Sequence, residues 1–305
     1  SLRAGTAGDI ALTGAVGGGT RLGALTIVSA HDVPLPAVTA TVLEQDAGTG
    51  TTTLNGAVDT SGASGLLMTG NNFTVNNTIT TTGGGTVTFT NAVGTLTIAA
   101  AGDMSLDGAF AQVGTGPVQT AGDITTTGDQ VLFFRDLTLT GNVLINTTNT
   151  VAAGANIIFN NVSGSLNADV AANDRTLTLN AGTGGTVTLN GAVGDAEPLK
   201  TLTVTNAGAV NLPAVTTRDG GINVTAQTAI SMTGTLDSTA GATDGTISLN
   251  AASGTITVTN DINSGTGNVA LTATTGAVTE TAGAITANVL TVQAQNTSSL
   301  TTGTN

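Results

Sequence analysis

Few residues of this 305-residue chain have side chains suited to acid–base or metal chemistry: one histidine, 19 acidic residues and six Lys or Arg, with no cysteine. The histidine, His31, stands beside Asp32 in the segment SAHDVPLP. A histidine next to a carboxylate can act as a general base or ligate a metal ion. The two prolines that follow favour a surface loop with solvated side chains. We therefore expect His31 to have no catalytic or ligating role.

Close carboxylate pairs are a second possible source of chemistry, because enzymes that cleave polysaccharides use clustered acids and often bind calcium. Three such pairs occur: Glu44 with Asp46, Asp103 with Asp107, and Asp195 with Glu197. Solvated loops explain each pair equally well. We predict no catalytic residue, no cofactor-binding residue and no metal ligand, and hence no enzyme.

The triplet Ala-Gly-Asp recurs in the chain and places Asp9, Asp103 and Asp123 just before strand-like segments. A weak calcium ladder along these aspartates is one interpretation. We favour another, in which each aspartate closes its turn by bonding its own backbone. No segment matches a calcium-binding nonapeptide repeat or an EF-hand loop. We predict no cofactor, with calcium as the one weak alternative.

Composition favours an ordered, strand-rich fold and excludes several partners. The chain contains 64 Thr and 43 Gly but no Trp or Tyr, and Thr is typical of strands as Gly is of turns. Its formal net charge is −13, with only six scattered basic residues, which argues against nucleic acid and against an anionic membrane surface. No segment approaches 18 consecutive apolar residues, so the sequence predicts no membrane insertion.

Short runs in which Thr alternates with Val, Leu or Ile fill most of the sequence, and this period of two indicates strands with one buried face. In the last third of the chain, one predicted strand of each repeat centres on Ile222, Ile247 and Val269. A second predicted strand in each repeat recurs after nearly the same number of residues. Because both series of strands repeat with nearly the same spacing along the chain, each strand is expected to stack on its counterpart in the next coil. The sequence therefore predicts an all-β, right-handed parallel β-solenoid. With coils of roughly 22–25 residues, the chain holds about 13 coils.

The sequence also contains a repeat that is longer than one coil. The hexapeptide TLNGAV occurs at 53–58 and again at 188–193, and the segment 7–40 is identical to 184–217 at nearly half of its positions. The likeness extends loosely over 7–90 and 184–272. We interpret 1–305 as a single β-solenoid repeat region that belongs to a longer chain.

Asparagines flank several predicted turns and have two possible roles: Asn55, Asn180, Asn190 and Asn250. They can form internal amide ladders, or they can adopt left-handed turn geometry. We favour the turn interpretation.

Three long segments carry a family resemblance: GTVTLNGAVGDAEPLKTLTVTNAGAVNLPAVTT, TTTGDQVLFFRDLTLTGNVLI and GNVALTATTGAVTETAGAITANVLTVQA. They resemble the repeat regions of filamentous haemagglutinin-like proteins, and the resemblance covers nearly the whole chain. It implies a right-handed parallel β-helix, export through an outer-membrane partner pore, and an extracellular or cell-surface location in a Gram-negative bacterium. It also implies a role as an adhesin or stalk, and it brings no functional residues with it.

The expected function is therefore an extracellular structural or adhesive fibre segment without catalysis, whose partners are more coils of its own kind. An ice-binding solenoid is an alternative, because TxT triplets occur at 86–88, 176–178, 186–188 and 255–257. A polysaccharide-binding solenoid and a polysaccharide lyase-like enzyme are further alternatives. For ice binding, the triplets must stack in register on one face.

Overall fold

Alternating Thr and aliphatic residues form short strands throughout the chain, as predicted. A computed structural model describes residues 1–160 and 164–300. Among these residues the one helical element is a 3₁₀ turn at Ala171–Asn173. Strands of the described chain pair in parallel, and the predicted all-β parallel solenoid of about 13 coils is confirmed. The right-handed sense of the coils stays a prediction.

Contacts divide the chain into two compact units, Ser1–Gly141 and Asn142–Asn305. The interpretation of 1–305 as one continuous domain stays a prediction. The strands of the first unit are β1 (Leu2–Arg3), β2 (Leu22–Ser29), β3 (Val33–Leu35), β4 (Val38–Gln45), β5 (Thr51–Leu54), β6 (Val58–Thr60), β7 (Leu66–Gly70), β8 (Asn72–Val75), β9 (Ile79–Thr81), β10 (Val87–Asn91), β11 (Leu96–Ile98), β12 (Met104–Leu106), β13 (Phe110–Gln112), β14 (Val118–Thr120), β15 (Ile124–Thr126), β16 (Val131–Phe133) and β17 (Leu137–Leu139).

The strands of the second unit are β18 (Val143–Asn146), β19 (Ile157–Phe159), β20 (Ser165–Ala168), β21 (Thr176–Asn180), β22 (Thr186–Leu189), β23 (Ala192–Val193), β24 (Leu199–Asn206), β25 (Ala209–Leu212), β26 (Val215–Ala226), β27 (Ala229–Met232), β28 (Leu236–Asp237), β29 (Ile247–Ala251), β30 (Ile256–Val258), β31 (Ile262–Asn263), β32 (Asn268–Ala273), β33 (Val278–Glu280), β34 (Ile285–Thr286) and β35 (Val289–Ala294).

Most coils contribute three strands, and the long strands β4 and β26 each serve two ladders, so three parallel ladders run through a unit. In the first unit they are β7–β10–β13–β16, β8–β11–β14–β17 and β9–β12–β15. In the second unit the two predicted series are confirmed, because Ile222, Ile247 and Val269 stack in one ladder and Ile230, Ile256 and Val278 in another. The third ladder, β28–β31–β34, was not foreseen from the sequence.

Coil length varies over a wider range than the sequence predicts. Val33 pairs with Thr52 across a coil that is shorter than predicted, whereas Val143 pairs with Leu177 across one that is much longer. Corners lie between the strand ladders and can lengthen without disturbing them. The strands of successive coils therefore still pair in parallel although the connecting segments differ in length, with register shifts between β1 and β2, β21 and β24, and β24 and β26.

The core of each unit consists mainly of inward columns of buried aliphatic residues, none more than 8% exposed, while the alternate Thr residues of these strands face outward. In the first unit four phenylalanines join these columns. The ring centroids of Phe73 and Phe89 are 5.4 Å apart, those of Phe89 and Phe110 6.4 Å, and those of Phe110 and Phe133 5.1 Å. Tilted rings at these separations pack favourably.

One core column of the second unit contains a carboxylate. Glu280 is 2% exposed, it lies in register with Val258 of the preceding coil, and neither of its carboxylate oxygens has a hydrogen-bond partner among the described residues. Burial removes the water that would hydrate the Glu280 carboxylate, and no hydrogen bond replaces that water. Burying this side chain therefore costs free energy.

We expect Glu280→Leu to stabilise the protein by about 1–3 kcal/mol, because Leu continues the aliphatic column. Urea unfolding followed by circular dichroism measures the change. Thr279→Leu, on the outward side of the same strand, is a control for a general gain from hydrophobic substitution. If Glu280→Leu were less stable than the parent chain, the carboxylate would be shown to stabilise the fold.

Candidate functional site

The one group of three potential metal-ligating side chains that the described residues bring together is Asp9, His31 and Asp32. Nδ1 of His31 lies 3.5 Å from Oδ1 of Asp9 and 3.4 Å from Oδ2 of Asp32. The side chains are 48% (His31), 64% (Asp9) and 49% (Asp32) exposed. His31 is therefore solvent-accessible, as predicted, but it also faces two carboxylates.

Hydrogen bonds between successive coils position this group. The His31 backbone N–H donates to the Gly8 carbonyl at 2.7 Å, and the Ile10 N–H donates to the Asp32 carbonyl at 3.0 Å. The Asp32 N–H donates to Oδ1 of Asp9 at 3.0 Å. The sequence shows His31 and Asp32 as neighbours but does not indicate Asp9. Asp9 precedes His31 by 22 residues, which is one coil of the predicted length, so the coil spacing is the signal that could have found it.

The predicted acidic pairs are not brought together with a base. Oδ2 of Asp107 accepts from the Gly84 N–H at 2.9 Å, and its Oδ1 accepts from the Thr127 hydroxyl at 3.0 Å. Oε2 of Glu197 accepts from the Ala171 N–H at 2.8 Å. The remaining paired acids belong to no cluster of three potential ligands within the described part of the chain: Glu44, Asp46, Asp103 and Asp195.

Aspartates at the corners join one coil to the next. Oδ1 of Asp103 accepts from the Asp123 N–H at 2.8 Å, in the same way that Asp9 accepts from Asp32. Asp219 and Asp244 bind the N–H and hydroxyl of Thr243 and Thr266, respectively, at 2.7–3.0 Å. The prediction that Asp9 and Asp103 bond their own backbone is wrong. A stacked coil offers a free N–H directly beside the carboxylate, so the hydrogen bond forms between coils.

The asparagine prediction also needs correction. None of the four asparagines has positive φ, so left-handed turn geometry is wrong for them. Nδ2 of Asn76 donates to Oδ1 of Asn55 at 3.1 Å, and Nδ2 of Asn190 donates to Oδ1 of Asn160 at 2.9 Å. Asn55 and Asn190 thus each form an amide–amide pair with an asparagine of a neighbouring coil, although on the exposed surface. Asn180 instead donates to the Thr148 hydroxyl.

Half of the basic residues form ion pairs in the second unit. The Arg175 guanidinium binds both oxygens of Asp169 at 2.8 Å. This bidentate bond holds the pKa of Asp169 far below its ordinary value. Lys200 lies 3.3 Å from Asp174, and Arg218 lies 3.1 Å from Asp219. The Lys200–Asp174 pair joins the long segment that contains the 3₁₀ turn to the next coil. The Asp169–Arg175 pair closes that segment on itself, and Arg218 pairs with its own neighbour in sequence.

We expect stability to be nearly constant from pH 7 to 5 and to fall below about pH 4. Backbone hydrogen bonds from Gly84, Thr243 and Thr266 lower the pKa of Asp107, Asp219 and Asp244, respectively. A carboxyl group whose folded-state pKa is lowered stabilises the fold above its unfolded pKa. That stabilisation is lost as pH falls through the folded pKa.

Urea midpoints measured from pH 7 to 2 test this expectation. Asn keeps the acceptor oxygen but does not titrate, so the double variant Asp219→Asn/Asp244→Asn should lose less stability on acidification than the parent chain. Identical pH profiles for the two proteins would contradict it.

The TxT triplets do not build one regular array. The triplet at 176–178 lies in the ladder of β18 and β21, whereas those at 186–188 and 255–257 lie in the ladder of β22 and β30. The outward column of that second ladder reads Ile158, Thr188, Asn211, Ser231, Thr257 and Thr279. This mixture of side chains does not support an ice-binding face.

An open recess of about 530 Å³ lies on the second unit beside Asp237, Asp261 and Asn263. No aromatic side chain lines it, and aromatic rings are the usual stacking surfaces for sugars. The recess therefore gives little support to the polysaccharide-binding alternative.

No helix in the part of the chain that the structure describes is long and apolar enough to cross a membrane. Comparison of the chain with protein-family models, with curated proteins and with solved structures finds no match.

Proposed function

We propose that this chain is a structural or adhesive segment of an extracellular fibre or stalk, of the filamentous haemagglutinin-like type. The observation that carries the proposal is the stacking itself: within each unit, parallel ladders repeat coil after coil over a fully buried aliphatic core. Each added coil lengthens such a stack by about 4.8 Å. A unit of this kind provides reach and a long surface for display.

The roles of the acidic residues support a structural function without catalysis. Asp103, Asp219 and Asp244 direct their oxygens to the backbone of the next coil. Carboxylates used in this way hold coils in register. We propose that the chain cleaves no polysaccharide, and a panel of pectins and alginates tests this directly. Release of unsaturated or reducing ends that depends on the purified chain would refute it.

The outer edge of β35 supports contact with further coils. β35 pairs with β32, and no other strand of the described chain pairs with it. Leu290 and Val292 continue the columns of Val269 and Leu271, which are fully buried, but are themselves only partly buried. Unpaired strand edges recruit strands. We propose that more coils cover this end, supplied by a longer chain or by a second copy.

Sedimentation and negative-stain microscopy across protein concentration test the second-copy route. Lysine substitutions at Leu290 and Val292 should suppress end-to-end association, whereas the control Thr291→Lys, on the outward side of the same strand, should not. If the parent chain and the variants all stay monomeric, the second-copy route is excluded. The coils that cover this end would then have to come from a longer chain.

The location is tested separately by labelling intact bacterial cells with an antibody against this chain. We expect surface labelling, and loss of adhesion or of surface fibres when the gene is deleted. Labelling confined to the cell interior would refute the proposed export to the surface, and with it the fibre.

A further inference from the structure

We propose that Asp9, His31 and Asp32 bind a divalent transition-metal ion of the zinc class. Nδ1 of His31 is 3.5 Å from Oδ1 of Asp9 and 3.4 Å from Oδ2 of Asp32. Ligands of tetrahedral zinc, at bond lengths of about 2.0–2.2 Å, lie about 3.3–3.6 Å apart. The two measured separations match the edges of such a tetrahedron. This proposal revises the expectation that the chain has no metal ligand.

Backbone N–H groups hold both carboxylates in place. Oδ1 of Asp32 accepts a hydrogen bond from the Thr51 N–H at 2.7 Å, and the other oxygen, Oδ2, faces the His31 imidazole. Oδ1 of Asp9 accepts from the Asp32 N–H. A Cβ atom at Gly50 would collide with Oδ1 of Asp32 and approach Cε1 of His31 to 2.9 Å. Hydrogen bonds to ligating carboxylates orient them for a metal, so little reorganisation precedes binding.

The donor set selects the class of ion. Calcium and magnesium prefer six or more oxygen ligands, whereas one imidazole nitrogen with two carboxylate oxygens suits zinc, cobalt and nickel. The carboxylates of Asp9 and Asp32 carry two formal negative charges, which neutralise a divalent cation. Because all three side chains are about half exposed or more, the ion can enter from solvent and keep water as a remaining ligand.

A bound ion would join two coils. Asp9 belongs to the first coil, whose residues are largely exposed, and His31 and Asp32 follow β2 in the next coil. The ion would therefore reinforce the bonds that join Gly8 and Ile10 to those two residues. We infer that zinc stabilises the first coil against local opening.

His31 is the only histidine in the chain, so every imidazole signal reports on this site. We expect Zn²⁺ to bind with one-to-one stoichiometry in calorimetry and to shift both imidazole ring signals in NMR. Co²⁺ should give visible d–d absorption. Amide exchange at 8–10 and 31–32 should slow on addition of Zn²⁺, and Ca²⁺ should do none of this.

His31→Ala should abolish binding, and Asp9→Asn should weaken it at least tenfold while keeping the acceptor for the Asp32 N–H. The control Asp103→Asn changes a similar inter-coil carboxylate that has no histidine beside it, and it should bind Zn²⁺ like the parent chain. Imidazole signals unmoved by Zn²⁺, or equal binding by His31→Ala, would overturn the proposal. The first of these results would leave the cluster as an imidazole beside two carboxylates with no zinc bound.

Discussion

Phe110→Ala should destabilise the first unit by about 3–5 kcal/mol, the largest effect that we expect from any single substitution. Phe110 has no solvent exposure, and it lies between Val87 and Val131 of the adjacent coils. Its ring also packs against those of Phe89 and Phe133. Truncation removes the buried area and leaves a cavity that the hydrogen-bonded ladders on either side prevent from collapsing.

The matched control is Phe134→Ala, in the neighbouring coil. Phe134 is 38% exposed, and the Arg135 guanidinium lies over its ring, 5.5 Å from the centroid. We expect a change of no more than about 1 kcal/mol. Urea unfolding gives the free energies, and amide exchange locates the loosened strands. Equal losses for the two variants would mean that the core of this unit is not close-packed around Phe110.

Gln112→Leu should destabilise the protein by about 2–4 kcal/mol although it replaces a polar core side chain with an apolar one of similar volume. Gln112 has no solvent exposure. Its Nε2 donates to Oδ1 of Asn91 at 2.7 Å and to the carbonyls of Gly114 and Gly116 at 3.1 and 3.3 Å. Its Oε1 accepts from the Phe134 N–H at 3.1 Å. The substitution leaves the side-chain carbonyl oxygen of Asn91 buried and without this donor.

Two further variants separate the network from simple packing. Gln119→Leu, one strand along the same coil, changes an exposed glutamine and should alter stability by less than about 0.5 kcal/mol. The double variant Gln112→Leu/Asn91→Leu removes both partners, and its loss should be smaller than the sum of the single losses. Strict additivity would show that the two side chains do not depend on each other.

Glu280 and Gln112 show why the cost of a buried polar group depends on its partners. Both residues occupy the same kind of inward position at the end of a short strand. Gln112 has a hydrogen-bond partner for each of its side-chain polar atoms, whereas neither oxygen of Glu280 has one among the described residues. Opposite effects of replacing them by leucine are therefore expected, and the sequence alone does not distinguish them.

Residue alternation and repeat spacing were enough to predict the strand period, the fold class and the stacking partners in the last third of the chain. Ile222 lies on Ile247 and Ile230 on Ile256 as predicted, because in a parallel solenoid each residue stacks on the residue one coil length further along the chain. The sequence did not reveal the third ladder. Strands such as Ile262–Asn263 are too short to show any periodicity.

Which side chains meet across coils depends on how the coils stack in three dimensions. Asp9 reaches His31, Asp103 reaches the backbone of Asp123, and Phe73 reaches Phe89. Each of these contacts depends on the lengths of the intervening corners, which vary from coil to coil. A shift of one position in a strand moves a side chain to the opposite face. Because the local pattern identifies the strands but the variable corner lengths decide which residues of successive coils meet, the sequence pattern alone did not place Asp9 beside His31.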